Sequence, residues 1–349
     1  MNIMNRKSFI KTTALGFGAI FQIPFTNERI SASDLHYAFD DSADSRKLYD
    51  VLIIGGSFAG LSAAMGLGRC RRSALVIDEG KPRNRTSPQA NNVFSRDGHN
   101  PTEILGETRS QLAQYKENLT HLAGLVDSVE KEEAAFSVTL SDGRIFRGQS
   151  LVFAGGVTDH LLDIPGLEAL WGNGVYHCPY CHGWENRDKK TVIIGTGNSA
   201  LGLASTVSNW TSDITYFSQG VPVEISDSSR HILTRLGISI REETISGISR
   251  DNAAILVQRD GHSVPMAFDA CYAPGRITAN SEQVQSIGCE MRPNGSIIVN
   301  EQYQTNKNAV YAIGDICSRS NGQVIHAAYS GTVAAASINT MFLNKRFNQ

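Results

Sequence analysis

The sequence has no excess of either charge. Its 32 lysines and arginines meet 34 aspartates and glutamates, a formal charge of −2, so it lacks the basic surplus needed to bind a nucleic-acid backbone. No uninterrupted apolar run reaches the about 18 residues of a membrane-spanning helix, and the mature protein is expected to have no membrane span. Cysteines are too scattered for a disulfide framework: of six, only Cys178 and Cys181 are close in sequence. Most of the other four, Cys70, Cys271, Cys289 and Cys317, read as small buried apolar residues.

Glycine, by contrast, is plentiful, with 32 in 349 residues, and this points to many tight turns. A chain of this length with 41% hydrophobic residues buries a large core and suggests about two domains.

The first 33 residues read as an address. Asn5-Arg6-Lys7-Ser8-Phe9-Ile10-Lys11 precedes an apolar stretch from Ala14 to Phe25, then the small residues Ser31-Ala32-Ser33. That order matches a signal peptide and resembles a twin-arginine leader with Lys7 in the second arginine position. The segment is cationic, with Arg6, Lys7, Lys11 and Arg29 against Glu28, which leaves an acidic body. Export, to the periplasm for instance, is expected. A cytoplasmic enzyme with an N-terminal extension is the alternative.

From Asp50 the chain reads Val-Leu-Ile-Ile-Gly55-Gly56-Ser57-Phe58-Ala59-Gly60. A buried strand, a glycine turn and a small-residue helix open a dinucleotide-binding unit. Gly55 suits the tight turn, Ser57 lets backbone approach a pyrophosphate at the helix N-terminus, and Gly60 allows close helix–strand packing. A second strand, Ala74–Ile77, ends at Asp78, where a ribose-binding carboxylate belongs. The unit then returns: Thr191-Val-Ile-Ile-Gly195-Thr196-Gly197-Asn198-Ser199-Ala200 repeats the strand and glycines. Each copy is followed by a hairpin signal, Asp142-Gly143 and Asp260-Gly261. Gly195, Gly197 and Ala200 are therefore candidate contacts for a nicotinamide nucleotide. Yet the acid's place falls on Ser218, and no arginine or lysine is close, although Arg230 or Arg235 could return from the next helix. The second unit binds such a nucleotide weakly or keeps only its fold. Near the C-terminus, a strand ending in Gly314-Asp315 and a helix following Gln323-Val324 suggest a third contact surface, with a helix N-terminus able to stabilise an anionic ring.

Between the two units lies His177-Cys178-Pro179-Tyr180-Cys181-His182-Gly183-Trp184-Glu185. Two cysteines separated by two residues beside glycine-rich α/β units suggest redox exchange, with His182 able to supply or accept a proton. Three other readings compete. Cys-Pro-Tyr-Cys-His also matches a covalent haem attachment, which would make the chain an exported electron carrier. A zinc site lacks a second pair of ligands, so no metal is expected, and two inert buried cysteines are the plainest case.

The order of parts over roughly residues 48–343 resembles the low-molecular-weight thioredoxin reductases. The resemblance implies an α/β fold of two Rossmann-like, three-layer ββα nucleotide-binding domains, the second inserted in the first. An FAD domain would comprise residues 46–160 and 276–349, and the domain carrying Cys-x-x-Cys residues 161–275. It implies FAD held by Gly55, Gly56, Ser57, Gly60, Asp78, Asn92, Gly314, Asp315, Gln323 and Val324. Cys181 would face the flavin and Cys178 would meet the substrate. NAD(P)H as a further cofactor stays open, because the family's basic run for a 2′-phosphate is absent. His182 replaces the acid that usually follows the second cysteine. The segment looks more like the family's dithiol-oxidase branch, which returns electrons to oxygen. The expected function is thus FAD-dependent dithiol/disulfide oxidoreduction in a homodimer, with a small dithiol or disulfide, or a thioredoxin-like protein, as substrate. NAD(P)H or oxygen would be the other partner.

Overall fold

The computed structural model describes residues 43–317, 319 and 322–347. The leader expected over residues 1–33 lies outside the described residues. The first glycine unit forms as its sequence predicts. The strand Leu48–Ile54 runs into the helix Phe58–Arg69 and back into the strand Ala74–Asp78, parallel to the first and in register from Val51 opposite Ala74 to Ile54 opposite Ile77. Both strands are apolar on both faces because helices and further strands cover the sheet on each side. Leu52, Ile53 and Leu61 are fully buried, each stabilising the fold by about 1.5–3 kcal/mol relative to exposure.

This sheet has seven strands. Their order is Leu119–Ala123, Ala74–Asp78, Leu48–Ile54, Ile145–Phe153, Phe136–Leu140 and Val126–Lys131, and Val310–Ala312 also pairs with Ile145–Phe153. The Asp142-Gly143 signal is realised as a hairpin, with Gly143 at φ +87°. The C-terminal helix, Val324–Phe347, crosses the first helix on small residues. A Cβ on Gly331 would lie 2.3 Å from the Ala59 carbonyl oxygen, and one on Gly66 2.7 Å from the Ala335 Cβ. That close crossing brings the start of the C-terminal helix to the glycine loop.

The second glycine unit builds a separate five-stranded parallel sheet, ordered Ile238–Arg241, Ile214–Phe217, Thr191–Ile194, Ala270–Tyr272 and Val175–Tyr176. A three-stranded antiparallel sheet, Ile245–Asp251, Ala254–Arg259 and Met266–Phe268, accompanies it and contains the Asp260-Gly261 turn. All of these strands fall between Ile145–Phe153 and Val310–Ala312 of the first sheet, so the second Rossmann-like unit is inserted in the first. An antiparallel ribbon, Val157–His160 on Arg276–Ala279, marks where the chain leaves and re-enters the first unit. No helix of the described residues is long and apolar enough to cross a membrane.

Candidate active site

A cavity of about 670 Å³ opens over the first glycine loop. Gly55 has φ +106°, and a Cβ there would lie 2.4 Å from the Ala154 carbonyl oxygen. Gly60 is behind the loop, where a Cβ would sit 1.9 Å from the Gly55 carbonyl oxygen. A side chain on Gly56 would meet Asp78 at 2.8–2.9 Å. Ser57, at the N-terminus of Phe58–Arg69, makes no side-chain capping bond. Its helix therefore presents first-turn N–H groups to the cavity, as a pyrophosphate requires. The glycine cradle, the open helix end and the carboxylate at the next strand together fit the ADP half of FAD.

Gly55, Gly56, Ser57, Asp78, Gly314, Asp315, Gln323 and Val324 all line this cavity, together with Cys181 and His182. Asn92 does not. Its neighbour Asn91 lines the cavity instead and donates from Nδ2 to the Cys181 carbonyl oxygen at 2.8 Å. Asn92 has φ +59° and donates from Nδ2 to Gln323 Oε1 at 3.0 Å. The loop's reversal of direction swaps the two asparagines, which sequence spacing alone does not reveal.

Charged neighbours of the site also escaped sequence reasoning. Arg83 donates to both oxygens of Asp159, at 2.7 and 2.6 Å, and reaches Asp315 at 3.2 Å. It thereby ties the loop after Asp78 to the connecting ribbon and to the segment after Val310–Ala312. Asp78 faces Arg109 at 3.4 Å. Close by, burial holds the His121 ring down at about 4; Asp78 pulls it up and Arg109 pushes it further down. No local motif marks these residues, because their partners are 31 to 232 residues away.

Cys178 and Cys181 form a disulfide with Cα atoms 5.3 Å apart. Cys178 caps the single helical turn Pro179–His182, and its sulfur accepts the Cys181 N–H at 3.2 Å. Proline at the first helical position suits such a turn. The bond between the two sulfurs supports the redox reading of the pair. Cys181 lines the cavity and Cys178 is set back from its wall. His182 stacks on Tyr176 with ring centroids 4.1 Å apart, and His177 stacks on Trp171 at 5.6 Å. Burial lowers both imidazoles to about 4, aided at His177 by Arg83 and at His182 by His177. Both rings are neutral at neutral pH. Of the remaining cysteines, Cys271, Cys289 and Cys317 are buried, whereas Cys70, at the end of the first helix, is exposed.

The second glycine loop is arranged differently. Gly197 has φ +54°, and a Cβ there would lie 3.2 Å from Val221 Cγ1. Two of its N–H groups are bonded internally: Gly197 N–H donates to the Ser218 carbonyl oxygen at 3.1 Å, and Thr196 N–H to Ser199 Oγ at 2.8 Å. Tyr216 donates its hydroxyl to the Gly197 carbonyl oxygen at 2.6 Å. Asn198 is bonded in both directions to the Glu224 backbone. Ser218 is fully buried and donates to the Val221 carbonyl oxygen at 2.5 Å. Ala200 is buried in the core. Arg230 turns to the Val223 carbonyl oxygen at 3.2 Å.

These two loops and the intervening disulfide are the parts of a flavin-linked disulfide enzyme, and residues 49–331 match the family model "Pyridine nucleotide-disulphide oxidoreductase". The chain belongs to that family and is a thioredoxin reductase-like oxidoreductase; the family binds FAD. It is 31% identical to the thioredoxin reductase tcpT of Claviceps purpurea over 85% of this chain and 95% of that one. Among solved structures it is similar to HlmI, with a TM-score of 0.80 and 29% identity over 86% of this chain and 94% of that one. An oxidoreductase from Agrobacterium tumefaciens matches with a TM-score of 0.78 and 32% identity over 85% and 99% of the two chains.

Proposed function

We propose that this protein is an FAD-dependent dithiol oxidase that closes a disulfide in a small thiol substrate and does not use a nicotinamide nucleotide. The observation that carries the reading is the second glycine loop. Its Thr196 and Gly197 N–H groups are bonded within the protein, Val221 packs against its turn, and buried Ser218 stands where a ribose-binding acid belongs. The surroundings of the disulfide support a small substrate with an apolar face: Tyr180, Trp184, Phe94 and Ile325 are exposed, and the Arg187 guanidinium lies over the Trp184 ring at 4.1 Å.

In this reading a substrate thiolate attacks Cys178 Sγ. A mixed disulfide forms, the Cys178–Cys181 bond breaks, and its electron pair stays on Cys181 Sγ. The second substrate thiolate attacks the substrate sulfur of the mixed disulfide, releasing Cys178 as a thiolate and the substrate as a disulfide. Both thiol protons pass to solvent, because burial holds the His182 ring beside Cys181 neutral. Bound FAD supplies the two-electron chemistry that reoxidises the pair, with dioxygen as the final acceptor and hydrogen peroxide as the product. Gly55, Gly56, Ser57 and Asp78 would hold its ADP half, and Asp315 and Val324 lie where its far half would reach. Export, expected from the leader, belongs to the same proposal, because an oxygen-linked enzyme needs no NADPH pool outside the cell.

Anaerobic titration of the flavin tests the reading. A small dithiol should bleach the visible flavin band, air should restore it with peroxide release, and NADH or NADPH should leave it unchanged. Rapid bleaching by a nicotinamide nucleotide would overturn the proposal in favour of disulfide reduction, the activity named in the Claviceps relative.

A further inference from the structure

The disulfide has a side chain aimed at it that the flavin reading alone does not explain. Gln323, immediately before the helix Val324–Phe347, brings its Nε2 to 3.5 Å from Cys181 Sγ and 3.7 Å from Cys178 Sγ. The orientation of that amide is set from the other side. Asn92 donates Nδ2 to Gln323 Oε1 at 3.0 Å, which turns the Gln323 N–H groups toward sulfur. Asn92 is itself braced, with left-handed backbone at φ +59° and its N–H bonded to Asp97 Oδ1 at 2.6 Å. Asn91 grips the Cys181 carbonyl oxygen from the same loop.

We propose that Gln323 is the donor that stabilises the thiolate of the reduced cysteine pair, and that Asn92 is a positioning residue that keeps the donor end of the Gln323 amide on the sulfurs. The proposal rests on dithiol/disulfide exchange at Cys178 and Cys181. When the Cys178–Cys181 bond breaks, the electron pair left on Cys181 Sγ needs a counter-group. The charged and titratable groups near the site leave that task to neutral donors. Arg83 is held by Asp159 and Asp315, and the His177 and His182 rings are neutral at neutral pH. The Cys181 N–H serves Cys178 Sγ. The Gln323 amide serves both sulfurs, and hydrogen bonds to a charged acceptor are about twice as strong as neutral ones.

The test uses the full FAD-loaded enzyme, with the pair reduced by dithiothreitol, and follows thiolate absorbance and the rate of iodoacetamide alkylation against pH. Gln323→Leu is expected to slow alkylation at pH 6.5 by about tenfold and to move the thiolate titration about one pH unit upward. Asn92→Asp cannot donate to Oε1, so the Gln323 amide turns its oxygen to the sulfurs; its alkylation should fall further than that of Asn92→Ala. Flavin content, read from the visible spectrum, is the control. Unchanged alkylation in FAD-loaded Gln323→Leu overturns the proposal. Should that variant lose FAD, the two Asn92 variants decide, and equal wild-type titrations in both overturn it. These measurements need no dioxygen turnover. A failure of the oxidase reading therefore appears as absent peroxide with a shifted thiolate titration, and a failure of this inference as the reverse.

Discussion

The two glycine units begin with nearly the same sentence of residues and end in opposite states. In the first, the loop after Leu48–Ile54 faces an open cavity, and Asp78 stands against Gly56 at the cavity wall, with Arg109 on its other side. In the second, the loop after Thr191–Ile194 is stitched to Ser218, Tyr216 and Glu224 and covered by Val221. A glycine pattern therefore specifies a turn and a packing distance. Whether the turn receives a phosphate depends on what the neighbouring loop does with its donors.

The largest test of the contrast substitutes the second residue of each loop. Gly56→Val drives a side chain into Asp78 and is expected to weaken FAD binding by about a hundredfold, at the upper end of overpacking costs. Thr196→Val, at the matching exposed position, should leave flavin content and turnover unchanged. Flavin absorbance per protein after gel filtration reads both, and equal losses would break the comparison. Next in size, Asp78→Ala removes the carboxylate and should raise the FAD dissociation constant about tenfold, in line with a hydrogen bond to a charged group. Fluorescence titration of the apoprotein with FAD measures it.

Acid should strike the first unit and the cysteine segment together. His121, His177 and His182 are each lowered from 6.5 to about 4, chiefly by burial. Each binds its proton more weakly folded than unfolded, so the stability present above pH 6.5 is lost as pH falls toward 4. The loss is at most about 1.4 kcal/mol per histidine per pH unit. Thermal melts from pH 7 to 4.5 should show the decline, with a shallower slope in His121→Gln. A flat profile in the wild-type protein would contradict it. The smallest effect is expected from Tyr216→Phe, which frees the Gly197 carbonyl oxygen in the second loop. It should cost about 1 kcal/mol of stability in urea unfolding without altering flavin content.

Much of this architecture was legible locally. Strand, glycine turn and small-residue helix are encoded within about a dozen residues, because the steric demands of Gly55 and Gly60 arise from the turn itself. The Asp142-Gly143 and Asp260-Gly261 hairpins were legible for the same reason, and so was the redox pair, since two intervening residues place two sulfurs within one helical turn. The asparagines show where that legibility stops. Asn92 carries the family resemblance, yet Asn91 lines the cavity, and one residue of loop twist decides between them.

The sequence by itself determined two Rossmann-like units with a cysteine pair between them and a ribose-site acid in only one; the nesting of one unit in the other was implied by the family resemblance. Tertiary structure alone decided which groups meet at the pair: Arg83 on Asp159 and Asp315, Asn91 on Cys181, and Asn92 through Gln323 on both sulfurs. It also decided that the second glycine loop is bonded to Ser218, Tyr216 and Glu224. Turns and strands follow from steric preferences of neighbouring residues, whereas hydrogen-bond partners brought from 76 to 232 residues away to the cysteine pair and Arg83 exist only once the sheets have packed.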